Sequence, residues 1–419
     1  MNEPFSADTP LTHPSPTYDL IVFGATSFVG QIITDYLFKQ YGVDDSLKWA
    51  IAGRSETKLV ALRQTLGATA ATLPILVADA QSAEALNSLC TQSRVVLSTV
   101  GPYALYGEPL VKACAETGTD YCDLTGEVHW VKRMIDRYEG LAQQTGARIV
   151  HCCGYDSIPS DMGVYFLQQQ AKERFGQYCS TVKMRVKKAK GGVSGGTIAS
   201  MLNLVKEASG DATLRKELNN PYAICPPVDF ERPKQNSLTS VAYESDATAW
   251  MCPFVMAGVN EKVVQRSNAL LGYAKNFTYN EAILTGKGFT GFSAALGVTV
   301  GLGGFMVAAV VSPLRRLVER FLPKPGEGPT PEAQLNGFFV HLVYGKTDTG
   351  QGLTVKVSGD RDPGYGSTAK MIAQVGLALA FDVSKTEKTG GFYTPSAIFG
   401  EGLLSRLQKF SGLTFQVVT

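Results

Sequence analysis

Short apolar runs alternate with amphipathic stretches over the first third of the chain. The run 18–23 (YDLIVF) ends at Gly24, and apolar residues then recur at helical spacing over 32–37. A second apolar run, 47–52 (LKWAIA), ends at Gly53. A strand, a glycine turn, a helix and a second strand in this order predict a βαβ unit and therefore a parallel sheet.

Four later apolar runs predict further strands of the same sheet. They cover 73–77, 94–100, 121–124 and 147–153, and each ends in small or polar residues. A doubly wound sheet brings such strand ends to one crevice, where the strand order reverses. The predicted fold is therefore α/β, with a Rossmann-type doubly wound parallel sheet.

The rest of the chain has the pattern of a second, α+β domain. The run 181–187 alternates apolar and basic residues, which predicts a strand with one buried face. The runs 338–344 and 353–357 flank a turn and predict a hairpin. A helix is predicted over 367–380.

The turn after the first strand carries a phosphate-binding glycine pattern. Gly24 permits a tight turn, and Gly30 allows the helix to lie close to the sheet. The first amides of that helix are unpaired and favour an anion. Ser27 replaces the usual middle glycine, and its hydroxyl is expected to donate to a pyrophosphate oxygen. The predicted loop comprises Gly24, Ala25, Thr26, Ser27, Phe28, Val29 and Gly30.

The residues after the second strand indicate which dinucleotide binds. An NAD site places a carboxylate there, to hold the ribose 2′-hydroxyl. This chain has Arg54, with Ser55 beside it and Lys58 one turn later. Because arginine pairs with phosphate in a bidentate fork, these residues predict NADP. The alternative is an arginine that only tops a strand.

The ends of the later strands complete the predicted cofactor site. Asp79 and Ala80 are expected at the adenine, with a helix cap as the alternative for Asp79. Gly126 follows the fifth strand and is expected near the nicotinamide. The end of the fourth strand supplies Thr99, Val100, Gly101, Pro102 and Tyr103.

Hydride transfer also needs a proton donor near the nicotinamide. Tyr103 is the first candidate because it follows the Gly-Pro turn, and ring packing without proton transfer is its alternative role. Tyr155 and Asp156 follow the sixth strand, and Glu127 is a further candidate. Asp156 and Ser157 could instead cap the next helix, and solvent could supply the proton.

Several motifs resemble those of the saccharopine-dehydrogenase-like oxidoreductases: GATSFVG, AGRSETKL, STVGPYALYGEPLVKAC, TDYCDLTGE and CCGYDSIPSDMG. Later motifs resemble the branch of trans-acting enoyl reductases: WMCPFVMAGVNEKVVQRSNAL, PGEGPTPE, SGDRDPGYGSTAKM and GGFYTPSAIFGEGL. The likeness runs from about residue 18 to the C-terminus and departs at Ser27, where relatives usually have glycine.

The resemblance implies an NADP-binding domain, a second α+β domain, and reduction of a carbon–carbon double bond in a lipid precursor. It also implies Arg266 and Asn260 as substrate contacts. Activity on saccharopine is not implied, because such relatives share the fold more surely than the substrate. The chain is then expected to contain four parts: a disordered leader (1–17), an NADP-binding domain (18–157), an α+β substrate domain (158–363), and a C-terminal helix and return segment that packs against both domains (364–419).

Composition narrows the function and the compartment. The net charge of +2 over 419 residues gives no field that attracts nucleic acid. The 8 cysteines form no CxxC pair and the 4 histidines lie far apart, so no metal site is expected. Scattered thiols are typical of the reducing cytoplasm. The leader has neither a basic start nor an apolar core, unlike a signal peptide.

One apolar segment departs from the soluble pattern. No charged residue lies between Lys287 and Arg315, and 288–314 is long enough to cross a bilayer. Five glycines interrupt the segment, and basic residues follow it. The pattern favours an interfacial or re-entrant hairpin that contacts membrane or receives a long acyl chain. The alternative is a glycine-rich helix buried in the second domain.

Two functions from different classes fit these observations. The first is an NADP-dependent enoyl reductase that acts on a lipid or acyl-chain substrate, free or held by a carrier protein. The second is a membrane- or lipid-associated binding protein that retains a dinucleotide site without turnover. Either function is compatible with a homodimer in the cytoplasm or at the membrane periphery.

Overall fold

The computed structural model describes residues 16–44, 46–192, 195–310 and 328–418. Most of the expected leader therefore lies outside the described residues. The end of the apolar segment and the arginines that follow it, at 315, 316 and 320, also lie outside them.

A parallel sheet of seven strands forms the first layer of the described structure, in the order β13-β6-β5-β4-β1-β2-β3. The order reverses at β1, which pairs with β4 on one side and β2 on the other. The loops after β1 and β4 therefore border the crevice of a doubly wound sheet, as predicted. Its strands are β1 (Tyr18–Phe23), β2 (Trp49–Gly53), β3 (Ile75–Val77), β4 (Ser93–Ser98), β5 (Asp120–Asp123), β6 (Arg148–Val150) and β13 (Gly391–Tyr393).

Helices cross over between these strands, and several begin at a side-chain cap. The hydroxyls of Ser27, Ser55 and Ser82 each accept a hydrogen bond from an amide three residues later. The helices are α1 (Phe28–Tyr41), α2 (Glu56–Thr65), α3 (Ala83–Thr91), α4 (Tyr103–Tyr106), α5 (Glu108–Thr117) and α6 (Val128–Thr145).

A mixed sheet forms the second layer, in the order β14-β12-β11-β7-β10-β9-β8. β7 and β10 pair in parallel, and the other described pairs are antiparallel. The hairpin expected near 338–357 is present as β11 and β12. The strands are β7 (Cys179–Lys190), β8 (Ala242–Glu244), β9 (Ala249–Pro253), β10 (Thr278–Gly286), β11 (Phe338–Thr347), β12 (Gly352–Gly359) and β14 (Leu413–Val417).

Helices from the second half of the chain pack on both sheets. α7 lies on the second sheet against β11 and β12, while α13 lies on the first sheet against β1, β4 and β5. These helices are α7 (Ile158–Phe175), α8 (Gly195–Gly210), α9 (Ala212–Asn219), α10 (Ala257–Leu271), α11 (Gly288–Val310), α12 (Pro331–Leu335), α13 (Thr368–Phe381), α14 (Pro395–Phe399) and α15 (Glu401–Phe410).

Two elements differ from the predicted ones. The sixth strand ends at Val150 instead of residue 153, because Cys152 turns the chain with a positive φ of 63°. The described part of the apolar segment is one continuous helix, α11, and not a hairpin. The buried-core alternative is also wrong, because only 11% of the most apolar window of α11 is buried.

Candidate active site

Two positions in the loop after β1 and at the start of α1 are packed so closely that only glycine fits there. A Cβ on Gly24, whose φ is +84°, would lie 2.7 Å from the hydroxyl oxygen of Thr99. A Cβ on Gly30 would lie 2.3 Å from the carbonyl oxygen of Gly24. The amides of Phe28 and Val29 have no acceptor among the described residues. The loop is therefore a cradle of free N–H groups that fits a pyrophosphate.

Ser27 has a role within the loop that the sequence did not predict. Its hydroxyl accepts from the amide of Gly30 at 2.9 Å and lies 2.9 Å from the hydroxyl of Thr99. Thr99 donates its one proton to the carbonyl of Gly24 at 2.8 Å, so Ser27 is the donor between the two hydroxyls. The predicted bond from this hydroxyl to pyrophosphate stays a prediction. Ser27 ties the loop after β1 to the loop after β4.

The residues after β2 lie beside this loop. Arg54 is exposed and has no hydrogen-bond or ion-pair partner in the described parts of the chain. Ser55 accepts from the amide of Lys58 at 3.4 Å and caps α2, and the Lys58 side chain is exposed. A Cβ on Gly53 would lie 3.9 Å from the Thr26 hydroxyl, which shows how closely the two loops approach. The guanidinium is thus free to bind an anion, as its predicted role requires.

Asp79, in the turn after β3, does not cap the following helix. The Asp79 carboxylate accepts from the amide of Gln81 at 2.8 Å, while Ser82 caps α3. The capping alternative is therefore wrong. The predicted contact of Asp79 and Ala80 with adenine stays a prediction.

Glu127 holds the turn after β4 in place. Its carboxylate accepts from the amide of Tyr103 at 2.9 Å and from that of Ala104 at 2.8 Å. The hydroxyl of Ser200, on α8, donates to it at 2.7 Å. These three hydrogen bonds fasten Glu127 to the turn and to α8, so Glu127 positions the turn, and its role as a proton donor stays a prediction.

Tyr103, the first candidate for the proton donor, presents its ring to the crevice and its hydroxyl to the sheet. The hydroxyl donates to the carbonyl of Ser98 at 3.0 Å and accepts from the amide of Leu124 at 3.2 Å. Burial raises the pKa of this phenol well above its ordinary value. The hydroxyl has no proton left for a substrate, so the structure contradicts the acid role and favours ring packing.

Tyr155 also points away from the crevice. Its hydroxyl lies 2.9 Å from Nε2 of His341 on β11, and its ring packs on Phe339 at 4.9 Å between centroids. It is not among the residues that line the cavity described below. The predicted catalytic role of Tyr155 is therefore wrong, since side chains of the second sheet hold its hydroxyl.

Asp156 is placed as a proton donor should be. Its carboxyl lines the cavity and makes no hydrogen bond within the described structure. Burial raises the pKa of Asp156 to about 6. The capping alternative is wrong, because α7 begins at Ile158 without a side-chain cap and the Ser157 hydroxyl donates to Asn260 at 3.1 Å.

Asn260 and Arg266, the substrate contacts that the resemblance implies, do not lie at the crevice. Asn260 is buried and donates to the carboxylate of Glu281 at 2.9 Å. The guanidinium of Arg266 is buried and donates to the carbonyl oxygens of Ile224 and Phe392, the latter at 2.7 Å. Neither residue lines the cavity, so both implied contacts are wrong and both side chains join elements of the fold.

A cavity of about 640 Å³ extends from the crevice under α8, α9 and α11. Its volume lies within the ~300–1,000 Å³ of small-molecule sites. The predicted residues that line it are Ser27, Phe28, Val29, Thr99, Gly101, Tyr103, Gly126, Glu127 and Asp156. Within the described ranges, no group of histidine, cysteine or carboxylate side chains could hold a metal ion.

Sequence reasoning missed most of the apolar wall of this cavity. The wall comes from helices whose apolar residues look like ordinary core positions, and only the spacing of 204, 205 and 208 on α8 hints at a shared face. The missed residues are Leu204, Val205, Ala208, Leu218, Val255, Met256, Val259, Met306, Val310, Gly364, Tyr365 and Thr368.

Comparison with known proteins places this site in a family. Residues 20–150 match the family model for the saccharopine dehydrogenase NADP binding domain. A relative from Mycobacterium tuberculosis, provisionally named as a trans-acting enoyl reductase, is 41% identical over 95% of this chain and 97% of its own length. A trans-acting enoyl reductase of Mycobacterium bovis is 37% identical over 93% of this chain and 95% of its own length.

A solved structure shares the fold. The saccharopine dehydrogenase (L-Glu forming) of Saccharomyces cerevisiae superposes with a TM-score of 0.53, covering 96% of this chain and 100% of that one. At 12% identity this likeness concerns the fold alone.

Proposed function

Because the chain belongs to the trans-acting enoyl reductase branch of the saccharopine-dehydrogenase-like oxidoreductases, we propose that it uses NADPH to reduce the carbon–carbon double bond of an α,β-unsaturated acyl chain. The observation that carries this proposal is Asp156, an unpaired carboxyl at the wall of a mostly apolar cavity that adjoins the glycine loop. An apolar cavity suits an acyl chain, and a carboxyl at its wall suits proton delivery.

The cofactor is held by groups that have no other partner. The free amides of Phe28 and Val29 face the pyrophosphate position at the start of α1. Arg54 is free to pair with a 2′-phosphate, which favours NADPH over NADH. The bound cofactor supplies the hydride.

Asp156 supplies the proton to the carbon of the double bond that does not receive the hydride. Burial raises the pKa of Asp156 to about 6, which increases the share of the neutral form, and no described hydrogen-bond donor or ion pair stabilises the charged form. The apolar walls formed by residues such as Leu204 and Met256 exclude water from the reacting carbons.

The alternative of a binding protein without turnover is not favoured. A site that only binds a lipid gains nothing from a half-buried, unpaired carboxyl, since even partial burial of a charged group costs free energy. The relatives with which this chain shares most of its length also carry enzyme names.

The test is reduction of a long-chain 2-enoyl thioester by the purified chain. We expect NADPH absorbance to fall at the rate at which the saturated thioester accumulates, measured by mass spectrometry. The saturated thioester serves as the control and should consume no NADPH. Tight NADPH binding without reduction of enoyl thioesters of any tested length would contradict the proposal and restore the binding-protein alternative.

A further inference from the structure

The outward face of α11 is built from large apolar side chains. Phe289, Leu296, Val300 and Val307 are between 45% and 81% exposed. Their spacings of 7, 4 and 7 residues place them on one stripe of a helix with 3.6 residues per turn. Among the described helices, α11 alone has the length and apolar composition needed to cross a membrane.

The fully buried positions of α11 are small residues, although the larger Phe292 and Met306 also contact the rest of the protein or its cavity. Gly291, Ala295 and Ala309 are buried on the side opposite to this stripe. A surface helix of a soluble protein turns its large apolar residues inward and its polar residues outward. In α11 the large apolar residues of the stripe face outward instead. This arrangement is stable only where the stripe is removed from contact with water.

The N-terminal half of α11 is fixed to the second sheet. Phe292 packs edge-on against Trp250 of β9 at 4.9 Å between ring centroids. The Thr285 hydroxyl on β10 donates to the carbonyl of Gly291 at 2.8 Å. A helix held along one side in this way can lie in a membrane interface but cannot cross the bilayer without leaving the protein.

The sequence next to α11 is basic. Between Glu281 and Glu319 it contains three charged residues, Lys287, Arg315 and Arg316, and all three are basic. Lys287 precedes the helix and is exposed, and the two arginines lie outside the described residues. Basic residues that flank an apolar segment in the sequence complement anionic lipid head groups.

We propose that α11 inserts its outward stripe into the surface of an anionic lipid bilayer. A second copy of the chain fits the stripe less well than lipid does. In a two-fold dimer the basic residues that flank the stripe would face those of the partner and repel them. Met306 and Val310 of the same helix also line the active-site cavity. If the proposed function holds, an acyl substrate can then pass from the lipid to Asp156 without entering water.

Vesicle sedimentation tests the contact with the full chain. Vesicles of phosphatidylcholine with phosphatidylglycerol should sediment the protein, and vesicles of phosphatidylcholine alone should sediment less of it. The double variant Val300→Lys with Val307→Lys should lower the partition coefficient at least ~tenfold, because two charges enter the stripe. The control, Leu270→Lys with Leu335→Lys, adds the same charges at exposed apolar positions on α10 and α12 and should bind like the native chain.

A fluorescent probe tests the orientation of the helix. The native cysteines are buried or half-buried, so a cysteine introduced at position 300 can be labelled selectively. The emission maximum of the probe at this position should shift to shorter wavelength when anionic vesicles are added. A probe at Tyr243→Cys, an exposed position on β8, should not shift.

Activity toward a short, water-soluble enoyl thioester separates the two proposals. Membrane binding without reduction would refute the proposed function only. Reduction without sedimentation, or equal sedimentation of the stripe variant and the control, would overturn the membrane contact. If the stripe variant instead converts a dimer to a monomer and the native chain ignores vesicles, the stripe is an interface between copies and the proposal is wrong.

Discussion

Asp156 has a half-buried carboxyl at the cavity wall that has no hydrogen-bond partner among the described residues. Such burial costs free energy in the ionised form, and the raised pKa is the direct consequence. By contrast, the hydroxyls of Tyr103 and Tyr155 are fully engaged with the backbone or with His341. The raised pKa of Asp156 and the engagement of the two tyrosine hydroxyls support the proposal that Asp156 is the proton donor.

Activity should depend on the protonation of Asp156. Since its pKa is about 6 and the proposed donor acts in the neutral form, the rate should be highest below about pH 6 and fall as the pH rises through that value. Asp156→Asn should abolish this fall in rate with rising pH, the pH limb, and should lower kcat by ~100-fold or more. A pH profile of kcat for both proteins is the measurement.

Asp161→Asn is the matched control. Burial also raises the pKa of Asp161 to about 6, but its carboxylate accepts from Ser396 at 2.8 Å and from Ser267. This variant should lose stability and keep the pH limb. A limb that persists in Asp156→Asn and vanishes in Asp161→Asn would contradict the assignment.

Arg54 should determine the choice of cofactor. Arg54→Ala should lower the preference for NADPH over NADH by ~tenfold or more, because a charge-assisted pair with the 2′-phosphate is lost. Dissociation constants from fluorescence titration measure the preference. Lys48→Ala, an exposed lysine just before the other end of β2, should leave it unchanged. Equal affinities of the native chain for the two cofactors would refute the NADP prediction.

The strand, loop and helix formed by β1, its glycine turn and α1 are the element that makes the cofactor site. Their order and both glycines were predictable, because each follows from local sequence: an apolar run ends at a glycine and a helical period begins. The hydroxyl direction of Ser27 was not predictable. It depends on Thr99, which is 72 residues away in the sequence.

Gly30→Ala should break this element. The new Cβ would meet the carbonyl oxygen of Gly24 at 2.3 Å, so α1 must move away from the sheet. We expect a loss of ~1–3 kcal/mol in unfolding free energy and weaker dinucleotide binding. Gly140→Ala, in α6 where a Cβ meets nothing within 4 Å, should stabilise the protein by ~0.5–1 kcal/mol. Similar effects of the two substitutions, measured by urea unfolding, would contradict the account.

The segment 364–418 joins the two sheets of the molecule. α13 covers β1, β4 and β5, β13 extends the first sheet beside β6, and β14 extends the second sheet beside β12. The cavity likewise takes residues from many distant segments, from Ser27 to Thr368. The hydrophobic pattern predicted six strands of the first sheet and three of the second, but not β13, which joins the first sheet from the C-terminal segment. It also does not show which distant helices meet, so the apolar wall of the cavity escaped prediction.

The two sheets should therefore unfold together. Trp49 and Trp130 report on the first sheet and its helices, and Trp250 reports on β9 of the second sheet. Fluorescence of single-tryptophan variants should show coincident urea transitions. A chain that ends at residue 410, without β14, should unfold its second sheet first. Two separate transitions in the native chain would contradict this coupling.

The most direct test of the central claim is the isotopic origin of the two hydrogens added to the substrate. The reduction is run with NADPH deuterated at both C4 positions in ordinary water, and then with ordinary NADPH in D₂O. The saturated product should carry one deuterium in each experiment, at adjacent carbons. In D₂O, Asp156→Asn should slow product formation sharply, while each product molecule still carries one deuterium, because the proton must then come from another exchangeable source. A product with no deuterium from the cofactor, or no saturated product at all, would contradict the account.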